Sequence, residues 1–475
     1  MFSEVFERFI QNRPVAVMVR ILLESLLNAT QLDRWFDTVR QTQYTKEILF
    51  SSIVGLMLRV VCNIRPSVHS AYRHSDIQAS VVALYGKLQN LEPTTSQGLV
   101  RYIAGEAEAL IDHIGGTNPP LLAGYRVKFL DGNCIEATEH RLDVLRGTGA
   151  GALPGKTVVV FDPQLGLAVD VFPCEDGHAQ ERSLLSAVAD RIEAGDLYIA
   201  DRNFCTLEFL FAFPKQSAFF VIRQHGNTPY KRLTDLKFVG KSATGALFEQ
   251  AVEITAPNGE TLQIRRVVVR LITPTRNGDK HLVLLTNLPK ETVDTLTVAE
   301  LYRARWGIET AFQKLENHLH SEINTLGYPK AALFGFCLAL VAFNLYAIVM
   351  AALRAAHPDQ AIHKTVSEYY IAQEIETTTD GMLIAIPEHE WAVFTQISLV
   401  ELGSFLLHIA AYVDLKKYQK NPRGPKKPRM ERNQFRFFDG SCGNRGASPC
   451  VRNLKLTLSK KINKLECIKI RNSLG

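Results

Sequence analysis

Val127-Lys-Phe-Leu-Asp131-Gly132 and Leu197-Tyr-Ile-Ala-Asp201-Arg202 are two short apolar runs, each closing on an aspartate. The runs read as buried strands. In an open α/β sheet, ligand-binding groups gather at strand ends, where a polar side chain reaches solvent while the strand behind it stays buried. One aspartate in such a place is most often a turn or cap residue. Two in neighbouring parts of one sheet point to a site for a hard cation such as Mg²⁺, which takes carboxylate oxygens and needs few of them when phosphates supply the rest.

The surroundings of the two runs support an α/β sheet of mixed sense. Residues 126–130, 157–161 and 167–172 are short segments rich in Val and Phe, and Asp162-Pro-Gln-Leu-Gly166 reads as a hairpin turn between the last two. A helix over residues 180–192, a strand over 197–200, a helix over 207–212 and a strand over 218–223 come next. Residues 224–297 are again β-like, with strands expected at 247–252, 262–271 and 282–285, and read as a β insertion in the α/β domain. Helices resume at Val298 and continue with breaks to about Tyr412. Upstream, apolar residues at helical spacing over 15–27, 46–64 and 96–114 predict an all-helical N-terminal region.

A third carboxylate lies on the segment Leu301-Tyr302-Arg303-Ala304-Arg305-Trp306-Gly307-Ile308-Glu309. Read as one continuous helix at about 100° per residue, it places Tyr302, Arg305, Glu309 and Glu316 within about 60° of one another. Ile308, Phe312, Leu315 and Leu319 form the adjoining apolar stripe. An Arg–Glu pair four residues apart is by itself an ordinary surface feature.

The spacing Tyr302-x-x-Arg305-x-x-x-Glu309 resembles the signature of insertion-sequence transposases of the DDE class, in the insertion-sequence 4 branch marked by Tyr, Arg, Glu and Lys. Trp306 after the arginine is also similar to that branch. Asp131-Gly132-Asn133 and Asp201-Arg202-Asn203-Phe204 resemble the family's two aspartate motifs, and the β insertion before the glutamate helix resembles its RNase-H-like catalytic fold. The resemblance spans roughly residues 20–415. Two departures stand out: Glu316 occupies the position of the signature lysine, and the β insertion has no counterpart of a base-stacking tryptophan, with His281 the only ring in the comparable stretch.

The resemblance implies an RNase-H-like α/β catalytic domain with a β-strand insertion, preceded and followed by helical segments. It implies that Asp131, Asp201 and Glu309 are both catalytic and metal-binding, with Asp131 shared between two Mg²⁺ ions (Mn²⁺ substituting) and Asp201 and Glu309 each completing one. Tyr302, Arg305 and Trp306 would meet DNA near the end of a mobile element, and double-stranded DNA and a second copy of the chain would be the partners. The expected division is 1–120 helical and DNA-binding, 121–223 the first part of the catalytic domain, 224–297 the insertion, 298–375 the glutamate helix and remainder, 376–415 helical, and 416–475 a basic tail.

Composition is consistent with this reading. The 475-residue chain is 46% hydrophobic and 21% charged, enough to bury a large core. Its net charge of +6 is unevenly placed: residues 416–475 carry seventeen Lys and Arg against three Asp and Glu, leaving a mildly acidic body. A basic appendage rich in Pro and Gly, including Lys426, Lys427 and Arg429, suits a polyanion such as DNA. Eight cysteines without zinc-type spacing indicate neither a disulfide framework nor a zinc site. The N-terminus lacks the pattern of a signal peptide, so a cytoplasmic, nucleoid-associated setting in a bacterium is expected. Residues 331–353 are long and apolar enough to cross a bilayer, but Asn344 in their middle and the motif just upstream favour a buried core helix.

Overall fold

A computed structural model describes residues 2–43, 47–135, 155–177, 179–275, 278–323 and 325–421. The basic residues Lys426, Lys427 and Arg429 lie outside the described residues.

Ten strands build one sheet: β1 (Arg126–Ile135), β2 (Gly155–Asp162), β3 (Leu167–Cys174), β4 (Asp196–Ala200), β5 (Phe219–Arg223), β6 (Lys231–Arg232), β7 (Lys237–Lys241), β8 (Gly245–Thr255), β9 (Thr261–Leu271) and β10 (His281–Thr286). Their order is β3-β2-β1-β4-β5-β10-β9-β8-β6, with β7 also paired to β8. The centre, β1, β4 and β5, is parallel, and β2, β3 and β10 run antiparallel to their neighbours. β10 returns the chain from the β insertion to the edge of β5, so the strands after Arg223 prolong the same sheet.

Alternation along the strands sorts the side chains onto two faces. Val127, Phe129, Leu197, Ile199 and Val221 pack with Leu301, Tyr302 and Ile308, while Leu130, Tyr198, Ala200, Phe220 and Ile222 pack with Leu185, Phe209 and Phe213. Both faces of the parallel centre are therefore covered, as parallel strands require.

The expected helix over 180–192 is shorter and tighter. Glu181–Leu184 form a 3-10 turn and Leu185–Ala189 a short α-helix. The turn sets the Glu181 carboxylate against β1 where Gly132 sits: a Cβ there would come within 2.3 Å of Glu181 Oε1. A larger residue at position 132 would make the Glu181 side chain swing aside.

Helices wrap the β3 edge and one face of the sheet. The N-terminal helices are closed by local caps, with Ser3, Asn28, Ser67 and Ser80 side chains each accepting from a backbone N–H in the first turn. They pack on the Pro329–Ala356 helix, which also lies against β2 and β3. The most apolar part of that helix is wholly buried inside the protein, as expected of a core helix. Asn344 at its centre explains itself: its Nδ2 donates to the Ala168 carbonyl and its Oδ1 accepts from the Ala168 N–H, both at 2.9 Å. Both ends of a buried amide thereby find a partner, and the backbone of the edge strand β3 is capped at Ala168 instead of left open.

Candidate active site

The parallel pairing of β1 with β4 runs in register through Leu130↔Ala200, so Asp131 and Asp201 are the next residues of two adjacent strands. The chain treats the two aspartates differently. β4 stops, and Asp201 opens the 3-10 turn Arg202–Phe204, with its side chain free of capping duty. β1 does not stop at Asp131 as the sequence suggests; it runs on to Ile135 against β2, with Asp131 opposite Val159. Asp131 is thus held rigidly in a strand, at the point where its other neighbour falls away.

By the same alternation, Asp131, Asp201 and Arg223 continue the face occupied by Phe129, Ile199 and Val221, the face covered by the segment carrying Glu309. That segment is two helices, Thr295–Ala304 and Trp306–His318, broken at Arg305. Asp294 caps the first, accepting from Thr297 N–H at 2.7 Å. Gly307 lets the second lie close on β1: a Cβ at Gly307 would stand 3.3 Å from the Phe129 ring. Further along, Lys314 donates to Glu368 at 2.6 Å and ties the second helix to Glu368–Ala385. Glu309, in the first turn of this helix, also benefits from the partial positive charge of the helix N-terminus.

Arg305 is the hub of the contacts. One terminal nitrogen donates to Asp131 Oδ2 at 2.8 Å and the other to Glu309 Oε1 at 2.6 Å. Tyr302 Oη donates to Asp201 Oδ1 at 3.2 Å, and Arg223 reaches the same oxygen at 3.8 Å while holding Asp279 at 2.8 Å. The Arg305 side chain is only 8% exposed, whereas that of Glu309 is 46% exposed. Trp306 points outward and is 68% exposed, and Glu316 lies exposed on the same helix, two turns beyond Glu309.

Electrostatics distinguish the groups. Burial pushes Asp131 up to about 6 in spite of Arg305 and the Gly132 N–H, with the charges of Glu309 and Asp201 adding to the shift. Burial and the Asp201 charge push Tyr302 above the usual phenol range. Burial would lower Arg305, but Asp131, Tyr302, Glu309 and Asp201 outweigh it and hold the guanidinium above its ordinary value. The hydrogen bond from Arg223 holds Asp279 below the usual carboxylate range.

The structure therefore gathers Asp131, Asp201, Glu309, Tyr302 and Arg305 in one place, leaves Trp306 at its rim, and adds Arg223 and Asp279, which sequence reasoning missed. Arg223 had a signal, since it closes β5 as Asp201 closes β4. Asp279 had none, because its position depends on β10 returning to β5. The donor set, three carboxylates with excess negative charge at the centre of the sheet where β4 ends, suits a hard divalent cation. As the side chains stand, no three His, Cys, Asp or Glu among the described residues are gathered for an ion. Arg305 lies between two of the carboxylates.

Known proteins similar to this chain are transposases by name. The chain is similar to a Sinorhizobium fredii protein named "Putative transposase y4zB", with 27% identity over 211 residues that cover 42% of this chain and 56% of that protein. It is also similar to "Transposase for insertion sequence element IS421" of Escherichia coli, 22% identical over 268 residues covering 49% of this chain and 68% of that one. The aligned stretch thus spans little more than half of the first relative. Residues 122–345 match the family model described as Transposase DDE domain, which takes in Asp131, Asp201, the β insertion and Glu309. The mixed sheet with its flanking helices is RNase-H-like, the fold of that domain, and the matched stretch is similar to a transposase DDE domain.

Proposed function

We propose that the chain is a DNA transposase of the insertion-sequence 4 type, a metal-dependent nuclease and strand transferase whose catalytic residues are Asp131, Asp201 and Glu309. The observation that carries the reading is the convergence of these three carboxylates, from two adjacent parallel strands and one helix, inside a DDE domain. Asp131, Asp201 and Glu309 are the residues that would hold Mg²⁺ or Mn²⁺. Bound there, the ions supply charge stabilisation to the attacking and leaving oxygens of a phosphodiester.

Phosphoryl transfer asks the protein mainly for positioning and for charge placed where it develops. Water would cleave at the element end and leave a 3′-hydroxyl, and that hydroxyl would then attack a phosphodiester of target DNA in a cut-and-paste reaction. Tyr302 and Arg305 would steady a phosphate beside the reacting one, Arg305 through its planar fork. The exposed indole of Trp306 would lie against the DNA. The tail, with Lys426, Lys427 and Arg429, would add contacts to phosphates that do not depend on sequence. Double-stranded DNA is the partner, a homodimer the assembly on it, and the bacterial nucleoid the setting.

Purified protein, a short duplex of each element end, and Mg²⁺ or Mn²⁺, resolved on a denaturing gel, test the reading. Nicking and strand joining are expected, and Asp131→Ala, Asp201→Ala and Glu309→Ala should each remove them while leaving end binding largely intact. Binding without any cleavage would point instead to a DNA-binding relative that has lost its chemistry.

A further inference from the structure

We propose that Arg305 is a place-holding cation: its guanidinium occupies the edges of Asp131 and Glu309 that a divalent ion needs, and the ion binds by displacing it. The inference rests on the assignment of the three carboxylates as an ion site. It also implies an order of events, in which Arg305 lets go of the carboxylates before its fork turns to a phosphate.

The geometry carries each step. Among the described residues, Arg305 alone joins two of the three carboxylates, and it uses one terminal nitrogen on each. Its Nε is buried and has no hydrogen-bond partner, so the guanidinium is hydrogen-bonded to the site through those two contacts, with the Tyr302 ring 5.8 Å from it as a weaker neighbour. Asp201 is served separately by Tyr302 and, at longer range, by Arg223. Of the five N–H donors of the guanidinium, one on each terminal nitrogen goes to a carboxylate and the Nε–H is buried, so the fork is turned onto the carboxylates and not presented to a phosphate. A cation is favoured in this state, because several carboxylates in a half-buried site repel one another. Arg305 also sits between two helices with helical backbone angles of its own (φ −51°, ψ −30°), so rotation about its side-chain bonds is enough to release it and neither helix has to unwind.

The test uses the full chain without DNA, so that it reads ion binding and not turnover. Mn²⁺ is titrated by calorimetry, and Tb³⁺ by the luminescence it gains from nearby aromatic rings, Trp306 being the exposed indole beside the site. Arg305→Met should bind Mn²⁺ about tenfold tighter than wild type or better, equivalent to about 1.4 kcal/mol. Without metal it should melt below wild type, and Mn²⁺ should raise its melting temperature by more than it raises that of wild type. Arg305→Lys keeps the charge but cannot span both carboxylates, and should fall between the two; it also serves if the methionine variant folds poorly. Unchanged or weaker Mn²⁺ binding in both variants would overturn the proposal, while loss of binding in Asp131→Asn and Glu309→Gln would leave the ion-site reading standing. Mn²⁺ affinity that is indifferent to Asp131→Asn and Glu309→Gln would overturn both.

Discussion

Two buried arginines, Arg265 and Arg305, meet carboxylates in this protein with opposite balance. Arg265 on β9 forms a two-pronged pair with Glu249 of β8, and its remaining donors go to the carbonyls of Leu288 and Val293. Glu249 also accepts from Thr295 and faces Lys290 at 3.4 Å. Burial works against its charge, yet these partners win and hold it below the usual carboxylate range. At Arg305 the proportion is reversed: one guanidinium serves two carboxylates with a third nearby, its Nε goes unmet, and Asp131 is driven up to about 6. A satisfied cluster fastens structure, as Glu249 and Arg265 fasten the β insertion to the Thr295–Ala304 helix. A cluster left short of positive charge is one prepared to receive more.

The largest effect that could break this contrast is on chemistry. Alanine at Asp131, Asp201 or Glu309 should lower cleavage by on the order of a thousandfold or more, since each is expected to hold an ion that supplies much of the transition-state stabilisation. Folding should suffer little. The reverse is expected of Glu249→Gln and Arg265→Met, each of which breaks a fully partnered buried pair and should cost about 3–5 kcal/mol in denaturant unfolding. If Glu249→Gln were neutral to stability, or Asp131→Ala strongly destabilising, the division into fastening and functional clusters would fail.

A smaller effect sharpens it. Gly307→Ala should push the Phe129 ring by a few tenths of an ångström and lift the Glu309 helix from β1, at a cost of about 1–3 kcal/mol if the ring cannot yield. Cleavage should drop by more than stability alone explains, because Glu309 and Arg305 move with that helix. Rates near wild type would show that the helix has slack.

The smallest effect concerns acid. Glu92, a carboxylate of the satisfied kind, accepts from the N–H groups of Gln41 and Thr42 and from the Thr42 hydroxyl. Burial opposes its charge, but these bonds, the Thr42 hydroxyl foremost, hold it down at about 2. A carboxylate with a lowered folded-state pKa contributes stability above its unfolded value, near 4.5, and loses it as pH falls towards 2. Glu92→Gln should therefore lower the melting temperature at pH 6 and flatten its decline between pH 5 and pH 2. Parallel melting curves for the two proteins across that range would remove Glu92 from the set.

Much of this site was legible in the sequence because its parts are local. An aspartate at the end of an apolar run, or a Tyr, Arg and Glu at helical spacing, needs no partner to be noticed. What stayed hidden was set at long range or by fine geometry. The helical period runs through 301–309 without a proline, and Gly307, two residues further on, was the one local sign of the break at Arg305. That β1 continues past Asp131 depends on its pairing with β2, a partner more than twenty residues away. Arg223 and Asp279 meet because β10 lies beside β5, a matter of strand order that no window of sequence contains. The turn of Tyr302 and Arg305 inward onto the carboxylates is likewise a property of the assembled face.

Asn344 has one more consequence. The Pro329–Ala356 helix is apolar on nearly every side, so burial alone gives it little reason to prefer one depth in the core over another shifted by a turn. Its amide fits one backbone unit, at Ala168, and a slip of about 5.4 Å along the axis would strand both the amide and the strand edge without partners. A single polar side chain thus acts as the detent of an otherwise smooth piston. Asn344→Leu would keep the grease and lose the stop, giving a helix free to settle at several depths against β3, two strands from the β1 that carries Asp131.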